Sequence, residues 1–222
     1  MQKRGLLYVI EGPDWTGKDY HLDRLAGDLS NDGYNVLKTR EPGSAHDEIC
    51  GKIRQLLLDS KNTGMANMAE LFLYLADRAQ HHEKLIMPAL ERGDIVLTSR
   101  SRYSTDAYQG IARGLGLDLT TKLNRIATFD IDPDFSVFID ADPEIVFAKR
   151  GEADLDRLER LGIPFQKKVR EAYQQIAAND KWRIRVVDYI HGNPEKMYDQ
   201  ISSIFRHHME KNGKNLNRKL RA

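Results

Sequence analysis

Apolar residues fall into short, nearly continuous runs at 6–10, 34–37, 95–98, 135–139 and 184–187. Runs of this length without strict alternation predict strands of a parallel sheet buried on both faces. The stretches between them switch to helical spacing. Leu22, Leu25, Ala26 and Leu29 share one face of a first helix. Leu71, Leu75, Ala79, Leu85, Ile86, Ala89 and Leu90 mark a long helix over 68–92. Val169, Tyr173, Ile176 and Ala177 define another over 165–178, and Met197, Ile201, Ile204 and Phe205 a last one over 195–209. Each pattern is an apolar stripe against a polar remainder, as a helix packed on a sheet requires. Strands alternating with helices imply right-handed crossovers. The expected fold is α/β: a three-layer, doubly wound, five-stranded parallel sheet.

The chain has 222 residues and shows neither repeat nor linker. A single domain over 1–210 is expected, followed by a solvated tail at 211–222 with five basic residues and no acidic one. Hydrophobic residues at 41% and charged residues at 30% are ordinary for a globular protein. A formal net charge of +1 speaks against a duplex-coating protein, so nucleic acid is not an expected partner. Cys50 is the single cysteine, which excludes an intrachain disulfide framework and reads as a small core residue. No apolar run approaches the roughly 20 residues that span a bilayer, and no leader pattern opens the chain. A cytoplasmic protein without membrane contact is expected.

The segment Gly12-Pro13-Asp14-Trp15-Thr16-Gly17-Lys18-Asp19 changes the picture most. It lies between the first strand and the first helix and has the spacing of a phosphate-binding loop. Gly12 and Gly17 let backbone N–H groups close round phosphate oxygens, with Thr16 in the same turn. The helix start adds positive potential, and Lys18 adds a mobile point charge. The final position is Asp19, where such loops carry Ser or Thr. Arg40, Arg78, Arg100 and Arg150 fall at strand ends or on neighbouring helices, where ligands of open α/β sheets bind. Guanidinium groups there suit an anionic ligand.

Four further segments carry a resemblance. They are Thr39-Arg40-Glu41-Pro42-Gly43, Ala76-Asp77-Arg78-Ala79-Gln80-His81, Ala107-Tyr108-Gln109-Gly110 and Asp156-Arg157-Leu158-Glu159. In this order and spacing, together with the loop, the chain closely resembles the thymidylate kinases, a family of P-loop nucleoside monophosphate kinases. The resemblance implies transfer of a phosphoryl group from ATP to dTMP with Mg²⁺, and a homodimer. It assigns Lys18 to the donor phosphates, and Arg40 and Arg100 to the acceptor monophosphate. Asp14 is placed near the sugar 3′-hydroxyl and Arg78 at the pyrimidine carbonyl. Thr105 and Gln109 fall near the base edge, and Tyr108 crowds the 2′ position to favour deoxyribose. Tyr74 stands where the family stacks Phe on the base; ordinary core is the lesser alternative. A short lid is implied over about 149–160, with Arg150 first and Arg157 second as catalytic arginines, because position 15 is Trp where one branch of the family has arginine.

Two positions depart from the family. Asp19 replaces the loop hydroxyl, and Ser99 replaces an aspartate that precedes the arginine after the third strand. A carboxylate about 5 Å from a phosphate costs about 3 kcal/mol at an effective dielectric of about 20. The two changes together conserve one hydroxyl and one carboxylate, so Asp19 and Ser99 are expected to exchange roles at the Mg²⁺. Two other readings stay open: a kinase for a different or modified deoxypyrimidine monophosphate, and a catalytically silent nucleotide binder, which Asp19 and Trp15 favour. Trp15 either packs over the nucleotide or covers the helix start.

Overall fold

The structure, a computed structural model, describes residues 4–148 and 155–212. Five parallel strands, β1 (Leu6–Glu11), β2 (Val36–Arg40), β3 (Ile95–Ser99), β4 (Phe135–Asp140) and β5 (Ile184–Asp188), form one sheet in the order β2-β3-β1-β4-β5. β1 is central, pairing Leu6 with Ile95 of β3 and Tyr8 with Phe135 of β4. All six of its residues are buried because helices cover both faces. β2 lies at an edge and is half-exposed, so it continues through the polar Lys38-Thr39-Arg40 where the sequence predicts it to have ended. Continuous apolarity marks central strands and under-reports an edge.

The helices are α1 (Lys18–Asn31), α2 (Glu48–Leu58), α3 (Asn67–His81), α4 (Met87–Glu91), α5 (Arg102–Thr105), α6 (Leu117–Ala127), α7 (Pro143–Ala148), α8 (Gly162–Asn179) and α9 (Pro194–Asn212). On one face of the sheet, Leu22, Leu25 and Leu29 of α1 and Met197, Ile201 and Phe205 of α9 pack on Tyr8, Ile10 and Val137. Each such fully buried side chain contributes about 2 kcal/mol. On the other face, α8 sets Tyr173 flat against Phe138, with ring centroids 4.8 Å apart. The three-layer, doubly wound sheet is therefore present as expected.

The long helix expected over 68–92 is one helical run in three pieces, because His82–Ile86 widens into a π-helical turn between α3 and α4. Pro88 accounts for the widening: it has no N–H, and its ring would strike the carbonyl one turn earlier. A second π-helical segment, Asp106–Ala112, follows α5 and carries Tyr108 and Gln109. Cys50 is buried in α2 with its Sγ 3.6 Å from the Asp77 carbonyl, and burial pushes the thiol up, as fits a core residue. No helix among the described residues is long and apolar enough to cross a membrane. Residues 213–222, in the expected basic tail, lie outside the described residues; α9 itself runs on to Asn212.

Candidate active site

At the carboxyl end of β1 the chain turns sharply into α1. Gly12 has φ 140°, and a β-carbon there would stand 2.7 Å from the Ile139 carbonyl oxygen of β4, so only glycine fits. Gly17 caps α1 in the left-handed region at φ 82°. Thr16 closes the turn by donating its hydroxyl to the Pro13 carbonyl at 2.9 Å. Gly12 and Thr16 therefore shape the loop, while Trp15, Gly17, Lys18 and Asp19 face a cleft at the start of α1. Lys18 Nζ donates to the Pro13 carbonyl and lies 3.6 Å from Asp14. Burial, reinforced by Arg100, pushes Lys18 down to about 8.

Arg40, Arg54, Ser99 and Arg100 line the opposite side of this cleft. Asp19 and Ser99 thus come from two different elements to one cavity, as the proposed exchange of metal roles requires. Arg54 of α2 was not anticipated, since nothing in the spacing of α2 distinguishes it from a solvated arginine. Burial, then Arg40 and Arg100, push its guanidinium down, so three like charges converge on one space. Such crowding is stabilised by a polyanion.

A second pocket adjoins the first and shares Asp14, Glu41, Arg54 and Arg100 with it. Its water-sized interior is about 70 Å³, and it opens to solvent on one side. Tyr74 of α3, Arg78, Thr105, Tyr108 and Gln109 all line it, together with Ser104, Asp156 and Leu158. Seven residues assigned to the acceptor, Asp14, Tyr74, Arg78, Arg100, Thr105, Tyr108 and Gln109, are therefore gathered round one pocket. Arg40 faces the phosphate cleft beside it. Tyr74 belongs to both readings offered for it: it is buried, and it forms pocket wall.

Arg100 joins the two spaces. It adopts φ 68° after β3, and its Nη2 donates to Asp14 Oδ1 at 2.7 Å. Desolvation in the cleft pushes Asp14 up, but Arg100 and Lys18 outweigh it and hold the carboxyl well below the usual range. Beneath Arg100 lies Glu11, the last residue of β1. It accepts from the hydroxyls of Ser101 (2.8 Å), Ser104 (2.7 Å) and Tyr173 (2.8 Å). Burial raises Glu11, and these donors oppose it. Glu11 carries a signal in the sequence: a charge ending a strand with no other polar residue.

Arg78 forms the pocket floor. Its Nε donates to Glu41 at 2.8 Å, Nη1 to Thr105 (2.8 Å) and Asn124 (2.6 Å), and Nη2 to the Ser101 carbonyl at 3.0 Å. Glu41 also receives His81 Nδ1 at 3.2 Å. The motifs around Glu41, Arg78 and Thr105 are thus a single buried network.

The Asp156–Glu159 segment forms a reciprocal capping box. Asp156 Oδ1 accepts from the backbone N–H of Leu158 and of Glu159, both at 2.8 Å, and Glu159 Oε2 accepts from the Asp156 N–H at 2.9 Å. Arg157, expected as the second catalytic arginine, is not among the residues lining the phosphate cleft and is engaged elsewhere. Its Nε donates to the Leu57 carbonyl at 2.7 Å, and Nη1 pairs with Glu70. Glu70 is fully buried and also receives Gln109 and Arg113, so it demands this countercharge. Arg150, with the rest of 149–154, lies outside the described residues. Trp15 lines the cleft beside the start of α1, and its Nε1 donates to Glu159 Oε1 at 2.7 Å.

A parallel sheet with a phosphate loop at its switch point, and an arginine-rich pocket beside that loop, defines the nucleoside monophosphate kinase class of P-loop proteins. The thymidylate kinase family model matches residues 10–201. Thymidylate kinase of Finegoldia magna is 39% identical over 184 residues, covering 82% of this chain and 89% of its own length. Thymidylate kinase of Desulforapulum autotrophicum is 38% identical and covers 89% of each chain. The crystal structure of thymidylate kinase from Ehrlichia chaffeensis superposes with a TM-score of 0.73 at 27% identity, covering 91% of this chain and 99% of that one. The chain belongs to the thymidylate kinase family.

Proposed function

We infer that this enzyme transfers the γ-phosphoryl group of ATP to dTMP, giving dTDP and ADP. The observation that carries the reading is the pair of adjoining pockets joined at Asp14 and Arg100, one walled by the phosphate loop and the other by Tyr74, Arg78, Thr105 and Tyr108. Lys18 and the start of α1 hold the donor phosphates. Arg40, Arg54 and Arg100 hold the acceptor phosphate, and Asp14 lies toward the sugar. Phosphoryl transfer needs alignment and neutralised charge more than covalent help, which this set of cations supplies. A coupled assay of ADP release over a panel of nucleoside monophosphates tests the reading. The expected result is highest kcat/KM with dTMP, and ADP at background with every monophosphate overturns it.

Among the described residues no three His, Cys, Asp or Glu side chains form a metal cluster. The carboxylate of Asp19 and the hydroxyl of Ser99 facing the phosphate cleft suit Mg²⁺ that arrives with the nucleotide, because that ion keeps most of its ligands from phosphate and water. Bound there, it would neutralise charge on the β- and γ-phosphates. If the two residues act as one pair, Asp19→Ser weakens Mg²⁺-dependent ATP binding and Asp19→Ser with Ser99→Asp restores it. Calorimetry at varied Mg²⁺ should give a coupling of about 1 kcal/mol or more. Additive losses would separate the two residues.

A homodimer is also proposed. The apolar stripe of the helical run over 68–92 would be a candidate interface, but its Leu71 and Leu75 are spent inside the protomer, packed with Ala127 of α6. The exposed apolar side chains on α3 and α6 are instead Met68, Phe72, Leu119 and Ile126, the last 73% exposed. We propose these side chains as the interface. Light scattering should give twice the 25.5 kDa chain mass, and Phe72→Glu should halve it. A wild-type mass of one chain rejects the dimer.

A further inference from the structure

We propose that Trp15 is a positioning residue that couples the phosphate loop to the wall of the acceptor pocket through Glu159. The inference rests on the two-pocket reading above. Three observations carry it. Trp15 occupies the left-handed region at φ 66°, which a residue with a β-carbon resists and which persists only where surroundings fix it. Its indole N–H is the fixing contact, donating to Glu159 Oε1 at 2.7 Å across 144 residues of sequence. Glu159 is itself immobilised, being almost fully buried, with its other oxygen closing the capping box on Asp156.

The two ends of this bridge belong to different subsites. Trp15 lines the phosphate cleft beside Lys18 and Asp19. Asp156 and Leu158, whose backbone the box organises, line the acceptor pocket beside Tyr74 and Tyr108. A ligand that settles the wall at 156–158 therefore also settles Glu159, hence Trp15 and the loop that carries Asp14 and Lys18. By linkage the effect is reciprocal: donor in the loop raises affinity for acceptor, and acceptor raises affinity for donor by the same factor. A charge-assisted hydrogen bond from a rigid indole is suited to transmit this, since neither partner has slack to absorb it.

The test measures dTMP affinity by calorimetry on the full chain, with and without a non-hydrolysable ATP analogue and Mg²⁺. In the wild type the analogue should tighten dTMP binding about fivefold or more. Trp15→Phe keeps the ring and deletes the N–H. It should bring that ratio close to one while dTMP alone binds within about threefold of wild type, a pattern that general loss of structure does not produce. Glu159→Ala should have the same effect, and the double variant should add nothing further, as expected for two ends of one link. A spectroscopic arm does not depend on losing Trp15. The chain has two tryptophans, and Trp182 is 92% exposed on the turn after α8, so Trp182→Phe leaves Trp15 as the only tryptophan, which is excited selectively at wavelengths that tyrosine does not absorb. Its emission should shift on addition of dTMP alone in this background, and should not shift when Glu159→Ala is added. A Trp15→Phe ratio within twofold of wild type, a wild-type ratio near one, or an emission shift that survives Glu159→Ala overturns the coupling and leaves the kinase reading intact. Wild-type protein that binds neither ligand overturns both.

Discussion

A Lys18→Ala variant folds normally and loses at least about two orders of magnitude in turnover. The loss follows from deleting a pre-aimed cation where transition-state charge develops, a change worth about 10²–10³ in rate at comparable sites. Normal folding follows from electrostatics. Burial, with Arg100 next, holds Lys18 near 8 against an ordinary 10.5, so its charged form is disfavoured in the folded protein. That penalty is present in full below pH 8 and disappears as pH rises toward 10.5, so alanine removes a cost at neutral pH. The melting temperature at pH 7 should be equal or higher. ATP affinity of the free wild-type protein should fall as pH rises through about 8 and Nζ loses its proton, and the variant should lack this step. Calorimetric titrations across that range, with steady-state kinetics, check both statements. A kcat within tenfold of wild type would remove Lys18 from the chemistry.

Arg78→Ala is expected to have the largest effect on stability, about 3–5 kcal/mol, because it leaves a buried charge without its partner. Arg78 is 2% exposed and serves Glu41, Thr105, Asn124 and the Ser101 carbonyl together. Arg78→Lys should recover little of this, since one ammonium cannot reach partners arranged for a planar fork. Burial pushes Glu41 up, but Arg78 foremost and His81 outweigh it, so the carboxyl titrates well below its ordinary 4.5. The stability that Glu41 confers on the wild type is therefore present above that value and lost as pH falls below it. The deficit of the variant should narrow on acidification. Urea unfolding at pH 7 and pH 4 measures both terms, and a deficit under 1 kcal/mol at pH 7 would mean that Glu41 has another countercharge.

The two variants separate what was legible in the sequence from what was not. Lys18 announces itself through Gly12 and Gly17, because a loop that must approach β4 and start a helix in the left-handed region has few alternatives. The central strands were equally legible, since burial on both faces keeps them apolar but for Ser136 of β4 and the polar residues at their ends. Arg157 misled for a physical reason: an arginine in a lid-like segment reads as a ligand for phosphate, whereas here it answers a carboxylate, Glu70, that lies far away in sequence. Glu70 gives no sign of burial in its own neighbourhood. Arg54 was missed for the same cause, as nothing local says that Arg40 and Arg100 will converge on it. The π-helical placement of Tyr108 and Gln109 could not be read either, because the period that locates helices assumes the ordinary turn.

The position of β1 has a consequence for how the molecule comes into being. This strand is made before both of its neighbours, β3 and β4, whose register partners Ile95 and Phe135 emerge much later. Non-local parallel pairing of this kind forms slowly, and until it forms Leu6 to Ile10 is an apolar segment with open edges. The phosphate loop shares that delay, because Gly12 takes its shape against Ile139 of β4. On the ribosome, the loop that will grip ATP is thus made well before β4 and acquires its form only once that strand has emerged.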